Sequence, residues 1–517
     1  MSYKRFFAFF ALFVSFFLAF LLIFTTIWIK KTFGKEVEIA QILFHIQFPI
    51  TDTDPTFIKG FVFKSLLPSI LLSVIALFPL RFWHFVLKIG KHTKTYLSLV
   101  FLFGKRHTFG VRMVVCLGMI VFATKFVNQK FQIQEFIAQN SSKTYGTFYE
   151  THYINPPLQE IAAQFANLQD PRNLIIIFAE SLESTYSTKS APVGIEGGAS
   201  IYAPFGELIP NLTQLALKTN NFSSTNALGG ITQTIGTGWT IAALISYNCA
   251  IPQTQLPYKT GYNNNVAKYY LHSAVCLGDV LDSLGYRQIM FQGTSADFAA
   301  TRGFFTSHKI EMRDDKYFQS HKMLQGNVQG MWGIKDSVIF GFVKDYLQTY
   351  TDSKPFVLYI STMDTHHPDG FVDTQYCQGF EKTFENAVRC SDKIISDFVM
   401  WVQNSKFKDN TSIIILGDHK SMKQNFFPAN TKRSIYNAFI GTHFPQEKLK
   451  NRLISHFDVT LLFLESLGIS IESFGLGRNP LRSQTLLESL GEQNLAQELK
   501  IPSKIYESFW NLNPKKL

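Results

Sequence analysis

The sequence predicts an α-helical transmembrane N-terminal region followed by an α/β domain with a mostly parallel central sheet flanked by helices. Two observations carry this prediction. Long apolar runs are concentrated in the first 127 residues, and from residue 173 short apolar runs alternate with helical patterns. A third observation concerns function, because residues suited to metal binding follow several of the short runs. We therefore expect a membrane-anchored protein with a site at one edge of its sheet.

The first 127 residues contain about three candidate membrane spans. Phe6–Ile29 contains no charged residue and would be about 36 Å long as a helix, enough to cross a bilayer. The run is too long for a signal-peptide core, and Lys30 and Lys31 follow it instead of a small-residue cleavage site. The other apolar stretches are Ser65–Leu80, extended through 82–87, Met113–Ala123, and the short run Tyr96–Phe103, which is re-entrant, interfacial or part of a fourth span.

Basic residues near the spans predict the orientation. Those between the second and third runs are Arg81, Lys88, Lys91, Lys94, Lys105 and Arg106. The segment after the first span is less basic, so the N-terminus and the 81–107 loop are expected inside. Three spans then place everything after about residue 127 outside the cytoplasm, and a fourth span would reverse this.

Charge and cysteine usage narrow the class of protein. The net charge is +11, and much of the excess lies near apolar segments. Such placement favours a lipid membrane as partner and no nucleic acid, since no RNA-binding signature accompanies the charge. One cysteine, Cys116, lies in an apolar run; Cys249, Cys276, Cys377 and Cys390 follow it. Those four permit two disulfides in an oxidising compartment, with three pairings open, or they are four buried thiols.

The rest of the chain divides into a polar connector at 128–170, a domain at 171–480 and a C-terminal tail at 481–517. Short apolar runs predict buried strands at Leu174–Ala179, Ile289–Phe291, Phe356–Ile360 and Ser412–Leu416. Helical patterns lie between or after them, at Ile209–Lys218, Leu277–Leu284, Phe384–Val402 and Asp458–Leu467.

Potential metal ligands follow three of these strands. Glu180 ends the first, Asp364-Thr365-His366-His367-Pro368 follows the third, and Asp418-His419 follows the last. Carboxyl ends of parallel strands meet at one edge of a sheet. Carboxylates and imidazoles together suit Mn²⁺ or Zn²⁺, whereas Mg²⁺ would favour more oxygen ligands. Alternatively, Glu180 caps a helix and Asp418-His419 forms a turn. Only one of the two adjacent histidines is expected to face a shared site.

A glycine-flanked segment, Gly236-Thr237-Gly238-Trp239-Thr240, precedes the apolar helical run Ile241–Ile245. Two interpretations of Thr240 follow from this position. Its hydroxyl caps the helix, or it presents an oxygen to a phosphate held at the helix N-terminus. Trp239 stacks on a substrate face or, by the simpler interpretation, packs in the core.

Several segments together resemble a known family. They are Asn173–Ser181, Pro210-Asn211-Leu212, Gly236–Ala242, Cys276–Asp279, Asp364–Phe371 and Asp418-His419. Over roughly residues 170–460 the chain resembles the bacterial phosphoglycerol transferases that decorate periplasmic glucans. These are related to the lipoteichoic acid synthases and phosphoethanolamine transferases, in the alkaline phosphatase and sulfatase superfamily. The Gly-Thr-Gly-Trp-Thr and Thr-His-His-Pro-Asp-Gly segments carry most of the likeness.

The resemblance implies an alkaline phosphatase/sulfatase-like domain and roles for individual residues. Glu180, Thr240, Asp418 and His419 would hold a divalent metal, with Mn²⁺ the usual ion and Mg²⁺ or Zn²⁺ as alternatives. Thr240 would also be the nucleophile, and His366 the substrate-binding or proton-donating histidine. Arg302 is the candidate for gripping the donor headgroup. The resemblance also suggests the disulfide pairs Cys249–Cys276 and Cys377–Cys390.

The implied activity is transfer of phosphoglycerol from phosphatidylglycerol, through a covalent threonine intermediate, to a periplasmic glucan or related sugar acceptor. The protein would be a multi-pass enzyme of the bacterial inner membrane with its catalytic domain in the periplasm. The nearest alternative is a phosphoethanolamine transferase acting on lipid A or glucan, and another is a hydrolase. An alternative of a different class is a catalytically silent, membrane-anchored binding protein.

Overall fold

The structure is a computed structural model that describes ten stretches of the chain: residues 3–34, 37–46, 55–77, 107–141, 145–190, 205–224, 228–254, 269–423, 426–428 and 431–511. Its contacts divide the chain into two compact units. The first comprises Met1–Ile39 and Thr53–Ala138, and the second comprises Ala40–Asp52 and Gln139–Leu517. A segment that lies between two apolar runs in the sequence thus belongs to the second unit.

The first unit is helical. Its helices are Tyr3–Thr32, Pro55–Phe61, Leu67–Leu77 and His107–Phe131, with a π-helical turn at Val62–Leu66, and the helix Ile133–Ser141 has residues in both units. Within the described residues, three stretches are long and apolar enough to cross a membrane, Phe6–Thr32, Phe57–Leu77 and Gly110–Phe131. The predicted set of three apolar helices is confirmed. The extension at 82–87, the run Tyr96–Phe103 and the basic 81–106 segment lie outside the described residues.

Serines spaced four residues apart allow close packing in this unit. Ser65, Ser69 and Ser73 are fully buried. The Ser69 hydroxyl donates to the carbonyl of Ser65, and the Ser73 hydroxyl to the carbonyl of Ser69, each at 2.6 Å. Small side chains whose hydroxyls bond within their own helix are compatible with an apolar environment, where an unmet hydrogen bond is costly.

The second unit is built on a six-stranded sheet. Its strands are β1 (Asn173–Ala179), β2 (Arg287–Gln292), β3 (Glu311–Arg313), β4 (Phe356–Ser361), β5 (Thr411–Gly417) and β6 (Asn437–Ile440). The order is β3-β2-β4-β1-β5-β6, with β6 antiparallel and the other neighbours parallel. Every residue of β1 is buried, which explains its continuous apolar run. The predicted mostly parallel sheet is confirmed, and β3 and β6 are additional strands.

Helices flank this sheet, as predicted. The α-helices described in the second unit are Ile39–Ile46, Phe148–His152, Leu158–Ala166, Pro210–Lys218, Thr240–Cys249, Leu277–Ser283, Thr301–Ser307, Asp315–Ser320, Asp336–Thr349, Phe384–Gln403, His456–Ser466, Leu486–Leu490, Glu492–Lys500 and Lys504–Ser508. A two-stranded ribbon joins Ser473–Phe474 to Gly477–Arg478. The four helices predicted from periodicity are present, with ends shifted by one or two residues.

Two disulfides tie helices of this unit. They join Cys249 to Cys276 and Cys377 to Cys390, the pairs that the resemblance suggested. The first links the end of the helix Thr240–Cys249 to the residue that precedes the helix Leu277–Ser283. Cys116 is a buried free thiol. Disulfides are typical of oxidising compartments.

Candidate active site

A buried cluster of carboxylates and imidazole lies at the carboxyl ends of β1 and β5. Glu180 follows β1, and Asp418 and His419 follow β5. The two strands pair in parallel with Ala179 opposite Gly417, so the residues that come next are brought together. One ligand atom from each of the three side chains lies within 4.8 Å of the others, and each residue is 1% exposed. Register alone therefore assembles the cluster.

Thr240 completes this group. Its hydroxyl donates to Glu180 Oε2 at 3.3 Å and lies 3.5 Å from His419 Nε2. The helix begins at Thr240 itself, the preceding residue is Trp239, and no side chain caps the helix. The interpretation of Thr240 as a helix cap is therefore wrong. Its oxygen points to the cluster.

The turn before Thr240 requires glycine at position 236. Gly236 has φ of +74°, and a Cβ there would lie 2.9 Å from the backbone of Gln253. The N–H of Gln253 donates to the Gly236 carbonyl at 2.8 Å, which fixes this approach. A side chain would force the two segments apart and move the start of the helix.

His419 is oriented by its backbone contact. Its Nδ1 lies 2.9 Å from the carbonyl of Lys420, and because a carbonyl only accepts, Nδ1 carries the hydrogen. Nε2 is then the acceptor, and it lies 3.7 Å from Glu180 Oε1 and 3.5 Å from Asp418 Oδ2. A backbone partner on one ring nitrogen commonly sets the other toward a metal.

One carboxylate oxygen of Asp418 accepts hydrogen bonds from the backbone, and the other accepts none within the described residues. Oδ1 accepts the N–H groups of Ser181 and His419, each at 2.7 Å. Ser181 has φ of +53°, in the left-handed region, and its bond to Asp418 offsets part of that strain. Oδ2 is buried and makes no hydrogen bond within the described residues. It is directed at a partner other than a protein donor.

The pKa shifts of Asp418 and His419 also indicate that the cluster can bind a cation. Burial, and next the charge of Glu180, raises the pKa of Asp418 to about 7. Burial lowers the pKa of His419, but the carboxylates of Asp418 and Glu180 outweigh this and raise it. Buried acids at this distance are costly without a cation. With carboxylate, imidazole and hydroxyl donors and a free Asp418 oxygen, the residues fit a divalent cation such as Mn²⁺ or Zn²⁺.

Threonines after β4 fix Glu180 from the other side. The N–H of Glu180 donates to Thr362 Oγ1 at 2.9 Å, and the Thr365 hydroxyl donates to the Glu180 carbonyl. The Ser181 hydroxyl donates to Glu180 Oε1 at 2.6 Å. Residues that follow β4, which neighbours β1, therefore hold the backbone of Glu180, and Ser181 holds its carboxylate.

A pair of buried aspartates braces the loop that follows β4. Asp336 accepts the N–H groups of Met363 and Asp364 at 2.8 and 2.9 Å, and Asp364 Oδ2 accepts the N–H of Asp336 at 3.1 Å. Burial raises the pKa of Asp336 to about 7. These acids bond to backbone, so we assign them to positioning.

Two adjacent histidines, His366 and His367, lie in the loop that follows β4. His366 is half-buried, its Nδ1–H donates to the His367 carbonyl at 2.8 Å, and its ring centroid is 4.2 Å from that of Trp332. His367 is 1% exposed. Burial, then the charges of His366 and His419, lower the pKa of His367 well below its usual value. The charges of His366 and His419 thus both act on His367.

Two other predicted site residues have different surroundings. Arg302 forms ion pairs with Asp297, at 2.6 Å, and with the buried Asp314. Trp239 is 3% exposed and its ring lies 6.0 Å from that of Phe44. The headgroup role of Arg302 and the substrate-stacking role of Trp239 stay predictions.

Sequence reasoning missed the helix Ile39–Ile46. Its Phe44 packs on Trp239, and the ring of its His45 stacks on Phe298 at 5.9 Å. The signal was a short apolar run with one histidine, Ile-Ala-Gln-Ile-Leu-Phe-His-Ile, in what looked like a loop between two spans.

The family profile described as Sulfatase matches residues 172–460, more than half of the chain. The chain belongs to the sulfatase family. Among curated relatives, phosphoglycerol transferase I of Xanthomonas campestris pv. campestris (strain B100) is 31% identical over 324 residues, covering 60% of this chain and 43% of that protein. Phosphoglycerol transferase I of Shigella flexneri is 28% identical over 343 residues, covering 64% and 42%. The chain spans less than half the length of these relatives.

Solved structures also align with this sulfatase-family chain. Lipooligosaccharide phosphoethanolamine transferase A from Neisseria meningitidis is 14% identical with a TM-score of 0.49, covering 87% of this chain and 83% of that one. The lipoteichoic acid synthase LtaP from Listeria monocytogenes is 16% identical with a TM-score of 0.46, covering 66% and 82%. Similarity at this level carries no functional argument. The resemblance predicted from the motifs is confirmed by the family match and the curated relatives.

Proposed function

We propose that the protein is a metal-dependent transferase that moves phosphoglycerol from phosphatidylglycerol to a periplasmic glucan or related sugar. One observation carries the proposal, namely the Thr240 hydroxyl 3.3 Å from Glu180 Oε2 and 3.5 Å from His419 Nε2, within the Glu180–Asp418–His419 cluster. A hydroxyl that only capped its helix would not need these neighbours. The names of the curated relatives supply the group transferred.

Glu180, Thr240, Asp418 and His419 would hold the cation. When bound, a divalent cation lowers the pKa of a coordinated hydroxyl and neutralises charge on a phosphate. The chain's own contribution is positioning. The backbone bonds to Glu180, Asp418 and His419 fix the ligand atoms before substrate arrives, so little reorganisation is needed.

The proposed reaction has two displacements at one phosphorus. In the first, Thr240 Oγ forms a bond to phosphorus, the bond to the diacylglycerol oxygen breaks, and diacylglycerol leaves with a proton. In the second, a sugar oxygen forms the new bond to phosphorus, the Thr240–phosphorus bond breaks, and the proton of the sugar hydroxyl passes to Thr240 Oγ, which restores the free hydroxyl. We assign His366 to proton transfer, because it follows Thr365, whose hydroxyl bonds the Glu180 carbonyl, and because its Nδ1–H donates to the His367 carbonyl, which orients the ring.

The location follows from the same proposal. A lipid donor requires a site near a membrane surface, and three apolar helices supply an anchor. Two disulfides in the second unit favour an oxidising compartment. We therefore place the protein in the bacterial inner membrane with the second unit in the periplasm.

A donor assay tests the function. The full chain in phospholipid vesicles is incubated with phosphatidylglycerol or phosphatidylethanolamine labelled in the headgroup, with and without an oligomeric glucan. We expect label from phosphatidylglycerol to reach the glucan. Label arriving only from phosphatidylethanolamine would establish the other transferase, and label reaching only water would establish a hydrolase.

Trapping the intermediate tests the nucleophile. Acid quenching during turnover without acceptor, followed by peptide mass spectrometry, should find a glycerophosphoryl group on the peptide that contains Thr240. An adduct on another residue, or turnover with no adduct at any time point, would count against the two-step route.

A further inference from the structure

The helix Ile39–Ile46 carries two adjacent aromatic side chains, Phe44 and His45, and Phe44 contacts the residue that precedes Thr240. Residues from Ala40 onward in this helix belong to the second unit. Phe44 is 1% exposed, and its ring centroid lies 6.0 Å from Trp239 and 6.3 Å from Tyr270. Trp239 directly precedes Thr240. Phe44 therefore packs on the residue next to the proposed nucleophile.

His45 follows Phe44 in the same helix, and its ring packs on Phe298. Its ring is nearly parallel to that of Phe298, with centroids 5.9 Å apart and an angle of 19°. Burial, then the positive charge of His366, lowers the pKa of His45 to about 4. The charge of His366 thus acts on His45, and the charges of His366 and His419 act on His367.

The chemistry of His45 matches a hydroxyl ligand. A neutral imidazole offers one donor and one acceptor, as a hydroxyl does, whereas a phosphate offers acceptors alone. Within the described part of the chain, no protein group forms a hydrogen bond with the His45 ring. Phe298 beside it is 36% exposed, so the pair borders open space. Hydroxyls are the groups that the glycerol of the donor and the sugar of the acceptor share.

We propose that His45 binds a hydroxyl of the substrate, supplied either by the glycerol headgroup of the donor or by the sugar acceptor. This inference rests on the proposed function and adds a specificity-determining residue from a segment outside the family match at 172–460. His45 stays neutral at neutral pH, so its role is recognition, and proton transfer is left to His366.

The test compares three variants of the full chain in vesicles. His45→Phe keeps an aromatic ring against Phe298 and removes both nitrogens, while His45→Asn keeps a donor and an acceptor. His443→Phe makes the same replacement at an exposed histidine and serves as the matched control. Two reactions are measured, the release of diacylglycerol without acceptor and the transfer of headgroup to an oligomeric glucan.

We expect His45→Phe to raise one KM about fivefold to tenfold, the effect of losing one neutral hydrogen bond, with kcat changed less than twofold. If the glycerol is the ligand, the KM for phosphatidylglycerol rises in both reactions. If the sugar is the ligand, only the glucan KM rises and diacylglycerol release is unchanged. His45→Asn should recover most of the lost affinity, and His443→Phe should match the wild type.

If the wild type is active, two results would refute the role of His45 and leave the proposed function standing. One is unchanged KM values for both substrates in His45→Phe, and the other is a fall in kcat at constant KM, which indicates a packing role. If His45→Phe does not fold, as judged by thermal unfolding, His45→Leu is assayed and the same results decide. A wild type inactive on both donors would refute the proposed function and this inference together.

Discussion

The two ends of the helix Thr240–Cys249 carry buried groups of the same kind with different chemistry. At its start, Thr240 meets Glu180, Asp418 and His419. At its end, about 15 Å away by helical rise, Cys249 meets Cys276 and His308. In both groups the potential ligand atoms lie within 4.8 Å of one another, and all six residues are buried. By spacing and burial alone, both would be metal sites.

The two ends of the helix differ in whether the buried side chains keep a lone pair that can bind a metal ion. At the end of the helix the sulfurs bond each other, and His308 is held with Nδ1 2.7 Å from Asp279 Oδ2 and Nε2 3.5 Å from Cys276 Sγ. At the start, Asp418 Oδ2 is buried without a hydrogen bond in the described structure. A cluster of such side chains can bind a metal ion only when its ligand atoms are not already engaged in covalent or hydrogen bonds within the protein. We therefore expect activity to depend on one end of the helix and stability on the other.

The largest expected effect is that of Thr240→Ala. Transfer should fall by at least about 10⁴-fold, as when the nucleophile of a covalent mechanism is removed. Unfolding temperature should stay close to the wild type, because the hydroxyl does not cap the helix. Thr237→Ala is the matched control, since among the described residues the Thr237 hydroxyl donates to the Thr234 carbonyl, at 2.8 Å, and activity should survive its loss. Substantial turnover by Thr240→Ala would end the nucleophile assignment.

Removal of metal should be nearly as severe. Dialysis against a chelator is expected to abolish transfer and Mn²⁺ to restore it, since the cluster fits one divalent cation. Metal analysis should find about one equivalent per chain in the wild type, and less in Asp418→Asn, which loses a carboxylate. The Cys249→Ser/Cys276→Ser double variant should bind as much metal as the wild type. Activity that does not change on treatment with a chelator would show that the Thr240 cluster does not need a metal. Loss of metal only from the cysteine variant would place the metal at the other end of the helix.

Breaking the disulfide should affect stability more than chemistry. The Cys249–Cys276 bond closes a loop of 27 residues, and its removal should cost about 3 kcal/mol by the loop-entropy relation. The double serine variant should unfold at a lower temperature and still turn over substrate well below that temperature. The equivalent change at Cys377 and Cys390, 13 residues apart, is the control for a disulfide away from this helix. A specific loss of kcat in the first variant would mean that the end of the helix sets the position of Thr240.

Much of the fold could be predicted from the sequence because the central strands are apolar throughout. Burial on both faces forces β1, β4 and β5 to be continuous hydrophobic runs, and their carboxyl ends must converge. Glu180 and Asp418 were therefore identified as neighbours before their register was known. β3 and β6 were missed because they have three and four residues, and β3 has a charged residue at each end.

The rest depends on contacts between distant parts of the chain. No local pattern indicates that Phe44 packs on Trp239, or that Asp336 and Asp364 exchange backbone hydrogen bonds across β4. The choice between cap and cluster for Thr240 was also undecidable locally, since both interpretations need a hydroxyl at the start of a helix. The start of the helix at Thr240 and the 3.3 Å distance from its hydroxyl to Glu180 Oε2 separate them.

The smallest predicted effect concerns pH and the helix Ile39–Ile46, whose Phe44 packs on Trp239 and whose His45 packs on Phe298. The pKa of His45 is about 4, below the 6.5 of an unfolded chain. The neutral imidazole is favoured in the fold, so its contribution to stability is complete above pH 6.5 and is lost as pH falls toward 4. Because His45 is partly exposed, we expect a loss of about 1 kcal/mol. Thermal unfolding of the wild type and His45→Phe between pH 4 and 7.5 measures it, and the gap in unfolding temperature should shift in favour of the variant as pH falls. If the difference in unfolding temperature between the two proteins does not change with pH, the helix Ile39–Ile46 does not pack on the second unit in solution. The activity at Thr240 would then not depend on this helix.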